Sequence, residues 1–262
     1  EELRAQQQAA QKNQEKQIQQ TEKLIERFRA KASKASMAQS LIKKLDKMDR
    51  IEVDPEENKK IKFEFAISHQ PGKIILEAEN ISKSFGDKNV LEAVNLEIER
   101  GEKIAFIGQN GQGKSTLAKI LVGEFESSGE VRLGHNVQVG YFAQNQSAYL
   151  DGKKTVLEAA EDSATPENRT KVRDFLGAFL FQGDAVEKKV HVLSGGERNR
   201  LALCKLLLQP FNVLIMDEPT NHLDILSKNV LKEALKKFEG TLILVSHDRD
   251  FVQGLCAKVV AF

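Results

Sequence analysis

The chain has 262 residues, of which 40% are hydrophobic and 29% are charged, and its formal net charge is +1. This length allows one or two domains. No apolar run approaches the ~18 residues that a membrane span needs, and a polar start rich in Gln, Glu and Lys is not a signal peptide. We therefore expect a cytoplasmic protein without a membrane partner. Cys204 and Cys256 both stand beside apolar residues, which predicts buried free thiols rather than a disulfide or a metal site.

The chain begins with Glu1 and ends in a strand-like run, residues 259–262, so we expect it to be a piece of a longer protein. Its charge is unevenly distributed, because residues 1–62 hold 15 Lys and Arg against 11 Asp and Glu. Within residues 27–47 the only acidic residue is Asp46, and the basic residues are Arg27, Arg29, Lys31, Lys34, Lys43, Lys44 and Lys47. A local basic cluster on a nearly neutral chain indicates a polyanionic partner.

Residues 1–71 contain no glycine and are rich in Gln, Glu, Lys and Ala, which is typical of long exposed helix. Two narrow apolar stripes, one over 18–28 and one over 37–48, lie on either side of residues 30–36. Ser36 and Gln39 fit a capping box that would begin a second helix. The pattern predicts a helical hairpin with helices at about 1–29 and 36–50. The alternative is a solvated spacer whose charges have no partner.

An antiparallel β layer is predicted next, because apolar and polar residues alternate over 61–65 and again over 94–98. Residues 74–76 form another strand, residues 81–86 lead into a turn at 87–89, and the globular domain begins near Lys73.

The following apolar run, 104–107, leads into a sequence of the form G-x-x-x-x-G-K-S. Glycines allow backbone amides to approach an anion closely, and the helix that starts near Lys114 offers free N–H groups to the same anion. Lys114 can reach the β- and γ-phosphates, and the Ser115 hydroxyl suits Mg²⁺. The predicted nucleotide-binding residues here are Gly108, Gln109, Asn110, Gly111, Gln112, Gly113, Lys114, Ser115 and Thr116.

Beyond two short strands at 130–133 and 137–142, a helical subdomain is predicted at about 145–205. Near its end, Ser194 and two glycines precede a helix over 198–208 and form a second potential anion site. The buried strand 213–216 then ends at Asp217 and Glu218.

Asp217 suits Mg²⁺ binding, and Glu218 could orient or deprotonate an attacking water. The alternative for these two carboxylates is a helix N-cap. The strand 242–245 ends close to His247, where sites of parallel sheets lie. We expect His247 to contact the γ-phosphate, although a lone strand-end histidine is more often structural.

In this order and spacing, residues 74–262 resemble the ATP-binding cassette superfamily. The resemblance implies an α/β P-loop ATPase fold with a mixed sheet core, an antiparallel β layer and an inserted helical subdomain, and it implies ATP and Mg²⁺ as cofactors. By resemblance, Gln144 contacts Mg²⁺ and the water, Asp224 lies at a dimer interface, and Phe85 stacks on adenine. The signature residues Ser194, Gly195, Gly196 and Glu197 would contact the ATP of a partner cassette.

Within that superfamily, residues 217–224, 246–249 and the basic run 27–34 are most similar to the ABC-F branch. That branch carries two cassettes joined by a helical-hairpin linker and acts on ribosomes. The resemblance implies a linker at 1–60, an ABC domain at 73–262, a second cassette normally in the same polypeptide, and contact with ribosomal RNA or tRNA. The RNA-contacting residues would be Arg27, Arg29, Lys31 and Lys34.

ATP would then close the two cassettes and hydrolysis would open them. We expect weak turnover in this half alone, and two copies of it could pair as a homodimer. The alternatives are the ATPase of a membrane transporter, an antibiotic-protection factor of the same branch, a DNA-repair cassette and a non-enzymatic scaffold.

Overall fold

The computed structural model describes Phe65 and residues 69–143 and 145–262. The chain divides into two units, Glu1–Lys60 and Ile61–Phe262, and the described residues belong to the second. The predicted hairpin, with Arg27, Arg29, Lys31 and Lys34, lies outside the described residues. Most of the strand predicted at 61–65 and Gln144 also lie outside them.

Fourteen helices and strands are described, together with short 3-10 turns at Gln146–Tyr149, Arg169–Lys171, Gly183–Glu187 and Val190–Val192. The strands are β1 Ile74–Phe85, β2 Lys88–Glu99, β3 Lys103–Ile107, β4 Ser128–Leu133, β5 Val139–Phe142, β6 Val213–Asp217, β7 Thr241–Val245 and β8 Lys258–Ala261. The helices are α1 Lys114–Leu121, α2 Val156–Glu161, α3 Val172–Ala178, α4 Gly195–Leu207, α5 Ile225–Lys237 and α6 Arg249–Val252.

The first sheet is antiparallel, with strand order β2-β1-β4. The sequence predicted two short segments before the turn at 87–89, but the structure has one strand of 12 residues, β1, paired with an equally long β2. Positive φ angles at Asn80 (53°) and Ala93 (46°) accompany register shifts in this hairpin. These irregularities interrupt the alternation of apolar residues, which is why the strand is hard to follow in the sequence.

The prediction of a strand reaching Phe65 is wrong at that residue. Phe65 lies in no strand. Its ring instead packs edge-on against Phe238 with the ring centroids 5.3 Å apart. The apolar residue at this position therefore packs against the end of α5 and does not pair in a β-sheet.

The second sheet is parallel, with strand order β5-β6-β7-β3-β8. Every residue of β6 and β7 is buried, as expected for strands covered on both faces. On one face Ile215 packs in a cluster with Leu117 and Leu121 of α1. On the other face Leu214 packs in a cluster with Leu203 of α4.

The segment between β5 and β6 is built from short helices and turns. Thr155 and Ser194 begin α2 and α4 with capping boxes, in which the hydroxyl accepts from the N3 amide and the N3 glutamate accepts from the cap amide. No helix in the described part of the chain is long and apolar enough to cross a membrane.

Both cysteines are free thiols, as predicted. Cys204 is fully buried in α4, but Cys256 is only partly buried, so the prediction of burial is wrong for Cys256. It lies in the connection from α6 to β8, where one side of the chain faces solvent.

Candidate functional site

A cleft of about 490 Å³ opens at the carboxyl ends of β3, β6 and β7. Crevices at this edge are where parallel α/β sheets bind ligands. The cleft collects residues that are distant in sequence, and these are Phe85, Lys88, Val90, Asn110, Gly111, Gly113, Lys114, Ser115, Thr116, Glu218, Asn221 and His247. The structure therefore brings most of the predicted nucleotide-binding residues together with Glu218 and His247.

The loop between β3 and α1 has a backbone that only glycine adopts easily. Gly111 and Gly113 have φ angles of 82° and 100°, in the region that side chains other than glycine disfavour. A Cβ on Gly113 would also lie 2.9 Å from the Leu91 side chain and 3.0 Å from the Val90 carbonyl oxygen. Gly113 is the N-cap of α1 and makes no side-chain cap. The first amides of α1 are thus left to bind an anion.

Lys114 is buried and crosses its own loop. Its Nζ donates to the carbonyl oxygens of Gly108 at 2.9 Å and Gln109 at 2.7 Å. The amide of Gln109 in turn donates to Oε1 of Gln112 at 2.5 Å. These bonds hold the ammonium group at the centre of the loop, where a phosphate bound by the loop amides would meet it.

The magnesium prediction depends on Ser115 and Asp217. Ser115 Oγ donates to Asp217 Oδ1 at 2.9 Å, and Asp217 Oδ2 is buried without a hydrogen-bond partner. Burial raises the pKa of Asp217; the Ser115 hydrogen bond lowers it, whereas the neighbouring charge of Glu218 raises it. A buried carboxylate oxygen that lacks a partner is costly, and a cation at this point would supply one.

In the described part of the chain no group of three or more His, Cys, Asp and Glu side chains could hold a metal alone. This fits Mg²⁺, which uses one or two protein ligands and completes its shell with phosphate oxygens and water. Ser115 and Asp217 fit that donor set. Gln144, predicted to join it, lies outside the described residues.

Glu218 and His247 face each other across the ends of β6 and β7. His247 Nδ1 lies 2.8 Å from Glu218 Oε2, and the Glu218 side chain is 10% exposed against 58% for His247. Glu218 has a φ of 51°, and its amide donates to the Val245 carbonyl oxygen at 2.9 Å. Strained backbone of this kind persists where the surroundings enforce it and is frequent at functional sites.

The alternative that these carboxylates cap a helix does not hold. The next helix, α5, is capped by Asp224, whose Oδ1 accepts from the Ser227 amide at 2.7 Å. Glu218 is therefore free of a capping role and is turned into the cleft.

The signature residues, 194–197, are not among the described residues that line this cleft. Ser194 and Glu197 bond each other's amides, at 2.7 Å from Ser194 N to Glu197 Oε2 and 3.3 Å in the reverse direction. Asp224 Oδ2 lies 2.9 Å from Arg200 Nη1. Arg200 thus connects α4 to Asp224, the residue that caps α5.

Phe85 ends β1 at the mouth of the cleft and is 48% exposed, which fits the predicted base-stacking role. Sequence reasoning missed Lys88, Val90 and Asn221, which also line the cleft. Lys88 and Val90 belong to β2, and only the register of the β1–β2 hairpin, in which Lys88 pairs with Phe85, brings them there.

Known proteins match both parts of the chain. One ABC transporter family model matches residues 91–221 and a second one matches residues 1–65. ABC transporter F family member 5 of Arabidopsis thaliana is 44% identical over 97% of this chain, and the probable ATP-binding protein YheS of Escherichia coli K12 is 41% identical over 95% of it. The chain spans only 37% and 39% of these two relatives.

Solved structures agree on the fold. A dimeric ATP-binding cassette in a post-hydrolysis state with ADP and Pi has a TM-score of 0.60 at 23% identity, covering 72% of this chain and 94% of its own. An ATP-binding subunit of an ABC transporter has a TM-score of 0.63 at 24% identity, covering 72% and 85%. The predicted fold class is confirmed, and the chain belongs to the ABC transporter family, in the F branch to which its relatives from Arabidopsis belong.

Proposed function

We propose that residues 73–262 form one ATP-hydrolysing cassette of a two-cassette ABC-F protein, and that residues 1–60 link it to the other cassette. The observation that carries the proposal is the Glu218–His247 pair, 2.8 Å apart, on the wall of the same cleft as Lys114 and Ser115. An acid beside a phosphate-binding loop is the arrangement that phosphoryl transfer to water needs.

In the proposed mechanism the loop amides and Lys114 bind the triphosphate, and Phe85 stacks on the base. Ser115 and Asp217 would hold Mg²⁺, which neutralises charge on the β- and γ-phosphates when it is bound. Glu218 accepts a proton from, or orients, the attacking water. His247, whose Nδ1 lies 2.8 Å from Glu218 Oε2, would contact the γ-phosphate. The corresponding signature residues of the partner cassette would complete this site, and residues 194–197 of this chain would complete the partner's site.

A composite site predicts that Ser194 matters for turnover but not for binding. The specific activity of the unmodified 262-residue chain should rise with protein concentration, because a second copy would supply the signature residues. We expect Ser194→Ala to retain ATP affinity by calorimetry and to lose hydrolysis. Thr155→Ala is a matched control, because it removes the same kind of capping box from α2 at a similar cost of about 1 kcal/mol. Equal turnover in the two variants would refute the composite site.

Glu218→Gln separates binding from chemistry. It preserves the shape of the side chain and removes the proton acceptor, so we expect a loss of about 10²–10⁴-fold in turnover with ATP affinity retained. Turnover near that of the unmodified chain would refute the role of Glu218.

The partner we propose is the ribosome, through the basic cluster at 27–34. In the two-cassette protein, Glu218→Gln together with the equivalent change in the other cassette should block hydrolysis and trap the ATP-bound state. This double variant should pellet with ribosomes in ATP and not in ADP. Changing Arg27, Arg29, Lys31 and Lys34 to Gln should weaken pelleting and spare ATP binding. The matched control changes Arg4, Lys12, Lys16 and Lys23, which is the same loss of charge outside the cluster. Pelleting with membranes instead of ribosomes would favour a transporter ATPase.

A further inference from the structure

Phe85 is poorly placed to act as a base platform by itself. It is the last residue of β1, it precedes the Gly86 turn, and it is 48% exposed. A ring in that position loses rotational freedom when a base stacks on it, and ordering a side chain opposes binding. A platform that is already held before the nucleotide arrives binds more tightly.

Two side chains hold this ring. The Phe125 ring meets it edge-on, with centroids 5.9 Å apart and planes at 69°, a favoured geometry for aromatic pairs. Lys83 Nζ lies over both rings, 5.5 Å from the centroid of Phe85 and 5.9 Å from that of Phe125. Distances below about 6 Å allow a cation–π interaction.

Lys83 is itself fixed. Its Nζ donates to the carbonyl oxygen of Glu126 at 2.5 Å, so the cation is tied to the chain immediately after Phe125. Lys83 and Phe85 are two positions apart on β1 and share a face of the strand. The lysine therefore bridges β1 and the segment that leaves α1.

That segment is attached to the helix that starts at the phosphate loop. The Phe125 amide donates to the Lys119 carbonyl oxygen at 3.3 Å, and Lys119 Nζ lies 5.0 Å from the Phe125 ring centroid. The phosphate loop is at the start of α1 and Phe125 follows its end. One helix thus connects the two halves of the nucleotide site.

We propose that Lys83 and Phe125 are positioning residues that hold the Phe85 ring as the surface on which the base of the nucleotide stacks. The inference rests on the proposed ATP-binding function and adds residues that touch neither the phosphates nor Mg²⁺. If it is right, substituting Lys83 or Phe125 weakens binding of the base alone, and only while the Phe85 ring is present.

The test compares Mg·ATP with Mg·tripolyphosphate, which lacks base and ribose, by calorimetry on the 262-residue chain. We expect Phe85→Ala to weaken ATP binding about tenfold and Lys83→Met and Phe125→Leu to weaken it about threefold each, all without effect on tripolyphosphate. Lys83→Arg, which keeps the cation, should retain the affinity. Lys73→Met is the control, because Lys73 is a 77% exposed lysine on the same unit, paired with Glu99.

The decisive measurement repeats Lys83→Met and Phe125→Leu in a Phe85→Ala background, where neither should weaken ATP binding further. A further loss there, an equal loss of ATP and tripolyphosphate affinity, or unchanged ATP affinity in both single variants would overturn the proposal. If the unmodified chain bound neither ligand, the proposed function would fail first. Thermal melting of each variant shows that a loss of affinity is not a loss of fold.

Discussion

Gly111 and Gly113 of the phosphate loop share a left-handed backbone but differ in the space around them. Gly113 and Gly111 both have positive φ angles, 100° and 82°. A Cβ on Gly113 would meet Leu91 and Val90 at 2.9–3.0 Å, whereas nothing lies within 4 Å of a Cβ on Gly111. Alanine at either position carries the backbone strain, and alanine at Gly113 adds a steric clash with β2.

The backbone strain and the steric clash each contribute to the free-energy cost of an alanine. A left-handed conformation costs an L-residue roughly 1–2 kcal/mol, and overpacking costs about 1–3 kcal/mol more. If the strain shifts the loop away from its binding conformation, the apparent Kd rises in inverse proportion to the fraction of molecules whose loop remains in that conformation. We expect Gly111→Ala to weaken Mg·ATP binding about 5- to 30-fold and Gly113→Ala at least about fivefold more than that.

Calorimetry with Mg·ATP and with Mg·tripolyphosphate measures both variants, and thermal melting checks that each is folded. If the loop binds phosphate as proposed, the two ligands should lose affinity in parallel, unlike the base-specific losses expected at Lys83. Equal losses for the two alanine variants would show that contact with Val90 and Leu91 does not decide the loop conformation. Unchanged affinity in Gly113→Ala would refute the loop assignment itself.

Three further outcomes follow from buried or paired groups. Burial raises the pKa of Asp217 in the folded chain, so at pH values above that pKa the ionised carboxylate destabilises the fold. Asp217→Asn should therefore raise Tm at neutral pH. This gain in Tm should shrink as the pH falls below the pKa of Asp217 in the folded chain. Asp224 has the opposite sign: burial raises its pKa, but hydrogen bonds with Ser227 and the charge of Arg200 give a net lowering. Its stabilising effect, tested as Asp224→Ala, should be full at neutral pH and vanish in acid. Burial raises the pKa of Cys204, and of Cys256 to about 11, so iodoacetamide at pH 8 should label both slowly and Cys256 first.

The grouping of residues at the cleft edge of the sheet could be predicted from the sequence, because each of them follows a local sequence signal. Lys114 and Ser115 belong to one short motif, and Asp217, Glu218 and His247 each follow an apolar run. The carboxyl ends of parallel strands meet at one edge, so residues that end such strands can be placed together without knowing any long-range contact.

The contacts that support this edge could not be predicted in the same way. Lys83 reaches Glu126 and Phe125 across 43 and 42 positions of the chain, and Gly113 meets β2 through the register of a hairpin. Such contacts depend on tertiary packing, and neither periodicity nor a motif marks them. The long β1 strand was missed for a related reason, because its bulges break the period of two on which strand prediction depends.

The order of strands in the parallel sheet also has a consequence for biosynthesis. Among the described strands, β3, which leads into the phosphate loop, pairs with two that are made much later, β7 and β8: Lys103 pairs with Leu242 and Ile104 with Lys258. Pairings so distant in the chain form slowly. While the ribosome is still making residues 108–240, this apolar strand has no partner in its own sheet and is exposed to aggregation. ATP affinity should accordingly appear late on nascent chains of increasing length, only once β7 has emerged.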